Sequence, residues 1–186
     1  MTQSRDSTTE GSDLAQAPWQ QEVCDVLLAA NIRQMSYVPD AGHAALIRLL
    51  GQSEQVQSIS LTSEEEGIPL ACGAWLAGQR SVMLMQSSGV GNCINAFSLL
   101  ESCRFPFLTL VTQRGEWGEF NQWQVPMGSK TRESFEMMGF LVYRVDHPDE
   151  VAPTIEAAAT MVFDGDQRIA ILLSQKLIGK KNWSAK

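Results

Sequence analysis

A run of three glutamates and a glycine-rich segment are the parts of this sequence whose residue types could do chemistry. Glu64–Glu66 follows one predicted strand, and Gly89-Val90-Gly91-Asn92 follows the next predicted strand along the chain. Neighbouring parallel strands end at the same edge of a sheet, where ligands bind. A carboxylate held there beside a glycine turn suits a cofactor that needs one proton transferred and the backbone close by.

The acidic run also has a purely structural explanation. Acidic residues in the first turn of a helix are stabilised by about 0.3–1 kcal/mol each, and Ser63 and Glu66 have the spacing of a capping box. Glu65 is the residue to test, because apolar residues follow it at helical spacing, at positions 68, 72, 75 and 76. Glu65 is therefore predicted at the head of an apolar seam, either buried or at a subunit contact. Glu64 shares part of that seam.

The segment 89–91 is predicted to be a tight turn between a strand and a helix. It does not match a dinucleotide-binding fingerprint, because Ile94 stands at the third glycine position and no acidic residue ends the following strand. A P-loop is excluded because no Gly-Lys-Ser or Gly-Lys-Thr follows. The glycines are explained by the geometry of a tight turn alone. A turn of this kind is also compatible with contact to a cofactor.

Strand-like and helix-like segments alternate along the chain. Short apolar strands are predicted at 34–38, 56–61, 81–86, 106–112, 140–145 and 168–173. Helices are predicted at 19–30, 43–51, 64–77, 92–103, 130–138 and 149–162. A long loop is predicted at 113–128. The alternation predicts an α/β fold with a doubly wound, mostly parallel six-stranded sheet and helices on both of its faces.

Composition sets the domain organisation and narrows the class of function. The polar segment 1–17 is predicted to be a disordered arm, 18–178 a single α/β domain and 179–186 a polar tail. A net charge of −7 without a basic cluster argues against nucleic-acid binding. No apolar run reaches the roughly 18 residues of a membrane span, and no apolar signal core is found, so we expect a cytoplasmic protein.

The four cysteines show no spacing that is typical of a metal site or a redox motif. They stand in apolar surroundings and are predicted to be buried thiols in a reducing cytoplasm. These residues are Cys24, Cys72, Cys93 and Cys103.

Several segments occur in an order that characterises one enzyme superfamily. They are Val38-Pro39-Asp40, Glu64-Glu65-Glu66-Gly67, the run from Gln86 to Asn95 with the letters QSSGVGNCIN, and Arg114-Gly115. Over about residues 18–178 the chain resembles the pyrimidine-binding domain of thiamine-diphosphate enzymes. Within that superfamily it is most similar to the α subunit of sulfopyruvate decarboxylases and the matching half of phosphonopyruvate decarboxylases.

The resemblance implies a subunit of a decarboxylase that acts on 2-oxo acids with thiamine diphosphate. In the family, one glutamate bonds the 1′ nitrogen of the cofactor's aminopyrimidine ring, and Glu65 aligns with that glutamate. Pro39, Asp40, Gly89 and Val90 match positions that line the ring.

Four further residues are candidates for contact with the substrate. Gln86, Ser87 and Arg114 belong to the matching segments, and His43 stands close after Asp40. A histidine at the start of a helix or on the surface explains His43 equally well.

The resemblance also implies a partner chain. In the family, a second domain carries a Gly-Asp-Gly…Asn motif that holds Mg²⁺ and the diphosphate, and Asp164-Gly165-Asp166 is the only similar string here. We therefore expect no metal site in this chain. Mg²⁺ would be held by a diphosphate-binding partner subunit, in a hetero-oligomer of α2β2 composition or larger that shares the cofactor between chains.

The segment after Arg114-Gly115 departs from the pattern of the relatives. It lacks the histidine that sulfopyruvate and phosphonopyruvate decarboxylases typically carry there, which leaves the identity of the 2-oxo acid open. Trp117, Phe120 and Trp123 are interpreted as interface anchors or pocket walls. Two other functions stay open: a non-catalytic assembly or regulatory α/β subunit, and a subunit of a carboligase of the acetolactate-forming type.

Overall fold

The computed structural model describes residues 18–179, and within them six strands pair in parallel. The strands are β1 (Ile32–Tyr37), β2 (Gln57–Ser60), β3 (Arg80–Gln86), β4 (Phe107–Thr112), β5 (Leu141–Val145) and β6 (Arg168–Leu173). Their order across the sheet is β2-β1-β3-β4-β6-β5. Every residue of β4 is buried, as expected for a central strand covered on both faces.

The helices cover both faces of the sheet. In chain order they are α1 (Pro18–Ala29), α2 (Ala44–Gly51), α3 (Gly67–Leu76), α4 (Ser87–Cys93), α5 (Phe97–Cys103), α6 (Val125–Gly128), α7 (Thr131–Met137), α8 (Pro148–Phe163) and α9 (Gln175–Ile178). The apolar residues of α1, α2 and α8 form one core with the sheet, and those of α3, α4, α5 and α7 form the other. The predicted doubly wound α/β fold is confirmed, and the sheet is parallel throughout the described residues.

The predicted turn at Gly89–Gly91 is wrong, because these residues lie inside a helix. Gln86 has extended backbone angles, and α4 begins at the next residue. Neither glycine has a positive φ. Glycine is suited to both positions because neighbouring groups leave little room for a side chain. A Cβ on Gly89 would overlap the carboxyl group of Glu64, and a Cβ on Gly91 would lie 3.1 Å from Met127 Sδ.

Other boundaries also differ from the predictions. The predicted helix 92–103 is two helices, α4 and α5, separated at residues 94–96. The loop 113–128 contains a 3-10 turn at Gln122–Gln124 and helix α6, and α9 was not predicted. The predicted arm at 1–17 and nearly all of the tail at 179–186 lie outside the described residues, so these predictions and the exact domain limits stay predictions.

The cysteine prediction is correct for three residues and wrong for one. Cys24, Cys72 and Cys93 are buried, and burial raises the pKa of each thiol. Cys103 is exposed, because it is the last residue of α5 and the apolar contacts of that helix are made by Phe97 and Leu100 instead. No helix between residues 18 and 179 has the length and apolar character needed to cross a bilayer.

Candidate active site

The three adjacent glutamates form a 3-10 turn between β2 and α3, and each has a different environment. Glu64 accepts a hydrogen bond from Asn92 Nδ2 at 3.0 Å, and Glu66 accepts one from the Thr62 backbone N–H at 2.9 Å. The side chain of Glu65 is exposed rather than buried, and it makes no hydrogen bond or ion pair with another described residue. Of the three carboxylates, Glu65 is therefore the one left available to a molecule outside this chain.

The predicted capping box is not formed. The Ser63 side chain makes no cap hydrogen bond, because the first turn is a 3-10 turn rather than the start of α3. Only the carboxylate of Glu66 reaches back over the turn, to Thr62. The apolar seam below Glu65 is real at Ile68 and Cys72, which are buried, but it ends before Leu76, which is 76% exposed.

Glu64 joins the acidic turn to α4. Its side chain lies in the space left by the missing side chain of Gly89, and its carboxylate bonds Asn92 on the same helix. This contact fixes the turn that carries Glu65 against the end of β3. It was not predicted, although the glycine at position 89 is a signal that another group approaches the backbone closely.

Asp40 holds together the carboxyl ends of three strands. One carboxylate oxygen accepts from Gln86 Nε2 at 2.7 Å, and the other accepts from Thr112 Oγ1 at 2.7 Å and the Gly42 backbone N–H at 3.0 Å. Asp40 follows β1, Gln86 ends β3 and Thr112 ends β4. The structure therefore brings Asp40 and Gln86, two of the predicted site residues, into direct contact.

The other residues matched to the pyrimidine ring lie at the same edge of the sheet, in different environments. Pro39 is exposed after β1, and Gly89 is buried in the first turn of the short helix α4. The side chain of Val90 is completely buried in the core beneath α4, so only its backbone could contact a ligand. Contact of these residues with a cofactor stays a prediction.

His43 is buried rather than on the surface. It precedes α2, and its Nε2 lies 3.2 Å from the Met85 carbonyl oxygen and 3.1 Å from that of Leu110. Burial lowers the pKa of the imidazole despite the nearby carboxylate of Asp40, so the ring is neutral with its Nε2–H shared between the two carbonyls. The geometry favours a structural role at the start of α2, and substrate contact stays a prediction.

Ser87 and Arg114 are also enclosed. Ser87 is completely buried, and its Oγ accepts the Arg114 backbone N–H at 3.0 Å. The Arg114 guanidinium donates through Nε and one terminal nitrogen to the two oxygens of Glu119, both at 2.8 Å. Gln86 has its amide nitrogen on Asp40 and its amide oxygen on Ser88. Substrate contact by these three residues stays a prediction.

Glu119 is the residue of this region that sequence reasoning missed. Its side chain is 3% exposed, and besides Arg114 it accepts hydrogen bonds from the backbone of Gly115 and Asn121 and from Gln175 Nε2. Burial alone would raise the pKa of the carboxyl group, but these hydrogen bonds together outweigh it and lower the pKa to about 2. No periodic pattern marks a charge buried inside a loop.

The low pKa of Glu119 predicts a specific pH dependence of stability. A carboxylate with a lowered folded-state pKa stabilises the fold above its ordinary pKa near 4.5, and this contribution is lost as the pH falls towards about 2. The wild-type chain is therefore expected to lose more stability than Glu119→Gln between about pH 5 and pH 3. Urea unfolding of both proteins across that range measures the difference, and parallel curves would contradict it.

The aromatic residues of the same loop face outwards. Trp117 is 45%, Phe120 54% and Trp123 87% exposed, and Trp123 borders a shallow apolar groove with Pro126 and Met127. Their interpretation as interface anchors or pocket walls stays a prediction. Among residues 18–179, no group of three histidine, cysteine or acidic side chains is arranged to hold a metal ion.

Known proteins resemble this chain in sequence over most of its length. The chain is 33% identical over 152 residues to the sulfopyruvate decarboxylase subunit alpha of Methanococcus maripaludis, which covers 81% of this chain and 91% of that protein. It is 36% identical over 126 residues to a sulfopyruvate decarboxylase of Methanosarcina acetivorans, covering 67% of this chain but only 32% of that protein. No family model matches the sequence.

The fold is shared with a larger solved enzyme. Benzoylformate decarboxylase from Polynucleobacter necessarius superposes with a TM-score of 0.69 over 90% of this chain, at 11% sequence identity. This chain spans only 32% of that protein's length, so the likeness shows the fold of one part of it. Sequence and fold together identify the chain as a decarboxylase subunit that belongs to the sulfopyruvate decarboxylase α-subunit family.

Proposed function

We propose that this chain is the pyrimidine-binding subunit of a two-chain, thiamine-diphosphate-dependent decarboxylase, and that Glu65 is its cofactor-activating residue. One observation carries the assignment. Glu65 is the exposed and unpartnered member of the acidic turn, whereas Glu64 and Glu66 are held by hydrogen bonds within the chain.

The residues at the sheet edge fit an aminopyrimidine ring. The ring needs a carboxylate for its 1′ nitrogen, and Glu65 is free to supply one. The resemblance also places Gly89 and Val90 beside the ring; because the side-chain space of Gly89 is taken by Glu64, this contact would be made by the backbone of α4. Asp40 and Gln86 would border the ring as a pair already fixed by their 2.7 Å hydrogen bond.

Each group in this chain has a separate task in the proposed reaction. When bound, thiamine diphosphate supplies the carbon nucleophile and accepts the electron pair that is left when carbon dioxide departs. Glu65 holds a proton at the 1′ nitrogen of the pyrimidine, and a carboxylate in a site that the partner closes from water is suited to this. Glu64 and Asn92 keep the acidic turn in place against α4.

A partner subunit would supply what this chain lacks. The relative from Methanococcus maripaludis is named as a subunit alpha. The relative from Methanosarcina acetivorans extends far beyond the segment matched here, as a single chain that carried both halves would. As the resemblance to the family implies, we assign Mg²⁺ and the diphosphate to the partner, in an assembly of α2β2 composition or larger.

The substrate that the relatives favour is sulfopyruvate, and the reaction class is decarboxylation of a 2-oxo acid. The test is to copurify the chain with its partner and to measure carbon dioxide release from sulfopyruvate, phosphonopyruvate, phenylpyruvate and pyruvate. Release from sulfopyruvate with an aldehyde product supports the proposal. Release with a carbon–carbon coupled product would indicate a carboligase. No release from any of the four in a cofactor-loaded complex would favour a regulatory subunit.

The space at Gly89 yields a prediction for the site. Gly89→Ala would place a methyl group where the Glu64 carboxyl group lies, so that Glu64 and the turn carrying Glu65 must shift. A misplacement on the order of 1 Å is expected to lower kcat/KM by roughly 10²-fold. Gly91→Ala is the matched control, because its new methyl group meets only the flexible Met127 side chain at 3.1 Å. Equal losses in both variants would show that Glu64 does not transmit the effect.

A further inference from the structure

The loop between β4 and α6 is built around a buried ion pair. The side chains of Arg114 and Glu119 are 8% and 3% exposed, and two parallel hydrogen bonds of 2.8 Å join them. Such a two-pronged pair fixes both direction and distance, because the planar guanidinium matches the two carboxylate oxygens. Trp117, Phe120 and Trp123 lie on the outside of the same loop. In this loop the charged side chains of the ion pair are buried and the aromatic side chains are exposed, which is the opposite of the usual distribution in a surface loop.

The other contacts of Glu119 hold the loop from within. The carboxylate also accepts the backbone N–H of Asn121 at 2.9 Å and of Gly115 at 3.3 Å. Gln175 extends the anchor, because its Nε2 donates to Glu119 at 2.9 Å and its Oε1 accepts the backbone N–H groups of Glu116 and Trp117. Through Gln175, these bonds attach residues 116, 117 and 119 of the loop to the segment that follows β6.

The two ends of the loop meet at a narrow neck. The backbone at Gly115 packs against the Gln124 carbonyl group, and Gly128 packs against the carbonyl oxygen of Arg114. A compact loop with close ends and its own internal packing is an Ω-loop, a form that often carries function. The neck lies one hydrogen bond from α4, because the Arg114 N–H donates to Ser87 Oγ.

The ion pair changes the role that can be given to Arg114. A guanidinium committed to a buried carboxylate is a poor site for a second anion, because the carboxylate would be left without its counter-ion in a desolvated position. We propose that Arg114 and Glu119 act as one positioning unit, which fixes the 115–124 loop and the start of α4 beside the active site. Neither of them then binds the anionic substrate directly. The activity part of this inference rests on the proposed function, and the structural part does not.

Amide hydrogen exchange on the purified assembly tests the structural part. Glu119→Gln keeps the shape but removes the charge, so exchange at the amides of residues 115 and 121 is expected to rise by roughly 10- to 100-fold. Gln175→Ala leaves the ion pair in place, and it should raise exchange at residues 116 and 117 instead. The control is Glu136→Gln, which breaks the exposed Arg132–Glu136 pair on α7 and should leave the loop unchanged. Unchanged exchange at residues 115 and 121 in Glu119→Gln would overturn the proposal.

A double-mutant cycle in the decarboxylation assay tests the unit itself. We expect similar losses of kcat/KM in Arg114→Gln, in Glu119→Gln and in the double variant, because each substitution breaks the same ion pair. Arg114→Lys should resemble Arg114→Gln within about threefold, since lysine keeps the charge but cannot form the two-pronged bond. A direct substrate contact predicts the opposite: Arg114→Lys keeps a KM near that of wild type, and the two single losses multiply in the double variant.

The two proposals fail in different ways. If the wild-type assembly releases no carbon dioxide from any of the four 2-oxo acids, the proposed function fails, and the exchange measurement still decides the positioning role. If the assembly is active and Arg114→Gln raises KM for the substrate without changing exchange in the loop, the positioning role fails and Arg114 becomes a substrate ligand.

Discussion

Replacing Glu65 with glutamine is expected to lower the decarboxylation rate of the assembled enzyme by a factor on the order of 10²–10⁴. Glutamine has the same shape as glutamate but cannot take up or release the proton at the 1′ nitrogen of the pyrimidine. Because the Glu65 side chain is exposed and has no hydrogen bond or ion pair within the described chain, the substitution should leave folding unchanged. The unfolding midpoint in urea, measured on the same protein sample as the rate, separates a catalytic loss from a loss of fold.

The two neighbouring glutamates are matched controls for Glu65, because they differ only in their contacts. Glu66→Gln alters one hydrogen bond at Thr62, and we expect less than about a threefold effect on the rate. Glu64→Gln keeps a hydrogen-bond acceptor for Asn92, and we expect less than about a tenfold effect. If Glu64→Gln were the most severe of the three substitutions, the proton-handling role would move to Glu64 and the contact with Gly89 would become part of the catalytic geometry.

The sheet could be predicted from sequence because its strands carry a strong and simple pattern. The strands at the centre, such as Phe107–Thr112, are buried on both faces and are therefore continuously apolar. The edge strand Gln57–Ser60 is polar at three of its four positions, and the apolar character of the predicted strand 56–61 comes from Val56, Ile59 and Leu61. The short helix Ser87–Cys93 was mistaken for a turn, because two glycines in seven residues oppose helix formation unless tertiary packing requires small residues there.

The site could be predicted only where local spacing or the resemblance to the family carries the information. The glutamate turn is predicted because it follows a strand whose end shares an edge of the sheet with the next strand, whereas Asp40 is predicted only from the resemblance to the family. That Glu65 is the unpartnered glutamate depends on hydrogen bonds to Asn92 and Thr62, which spacing does not reveal. Glu119 was missed because its partner Gln175 is 56 residues away and its burial results from the path of the loop.

Replacing Gly128 with alanine is expected to lower the free energy of unfolding by about 2–3 kcal/mol. Gly128 is buried at the end of α6, and an added methyl group would overlap the carbonyl oxygen of Arg114. That oxygen belongs to backbone that follows β4 and is fixed to Ser87, so it cannot move aside as a flexible side chain would. Because the φ of Gly128 is not positive, the cost comes from the overlap and not from backbone strain.

Gly73→Ala is the matched control for Gly128→Ala, because the same methyl group is added at an exposed helical position where nothing lies within 4 Å. Alanine there should stabilise the protein by about 0.5–1 kcal/mol, since it restricts the unfolded chain and favours the helix. Urea unfolding of both variants should therefore give shifts of opposite sign. If Gly128→Ala unfolded at the wild-type midpoint, the neck of the loop would be loose in solution. The ion pair of Arg114 and Glu119 would then have no rigid frame through which to position α4.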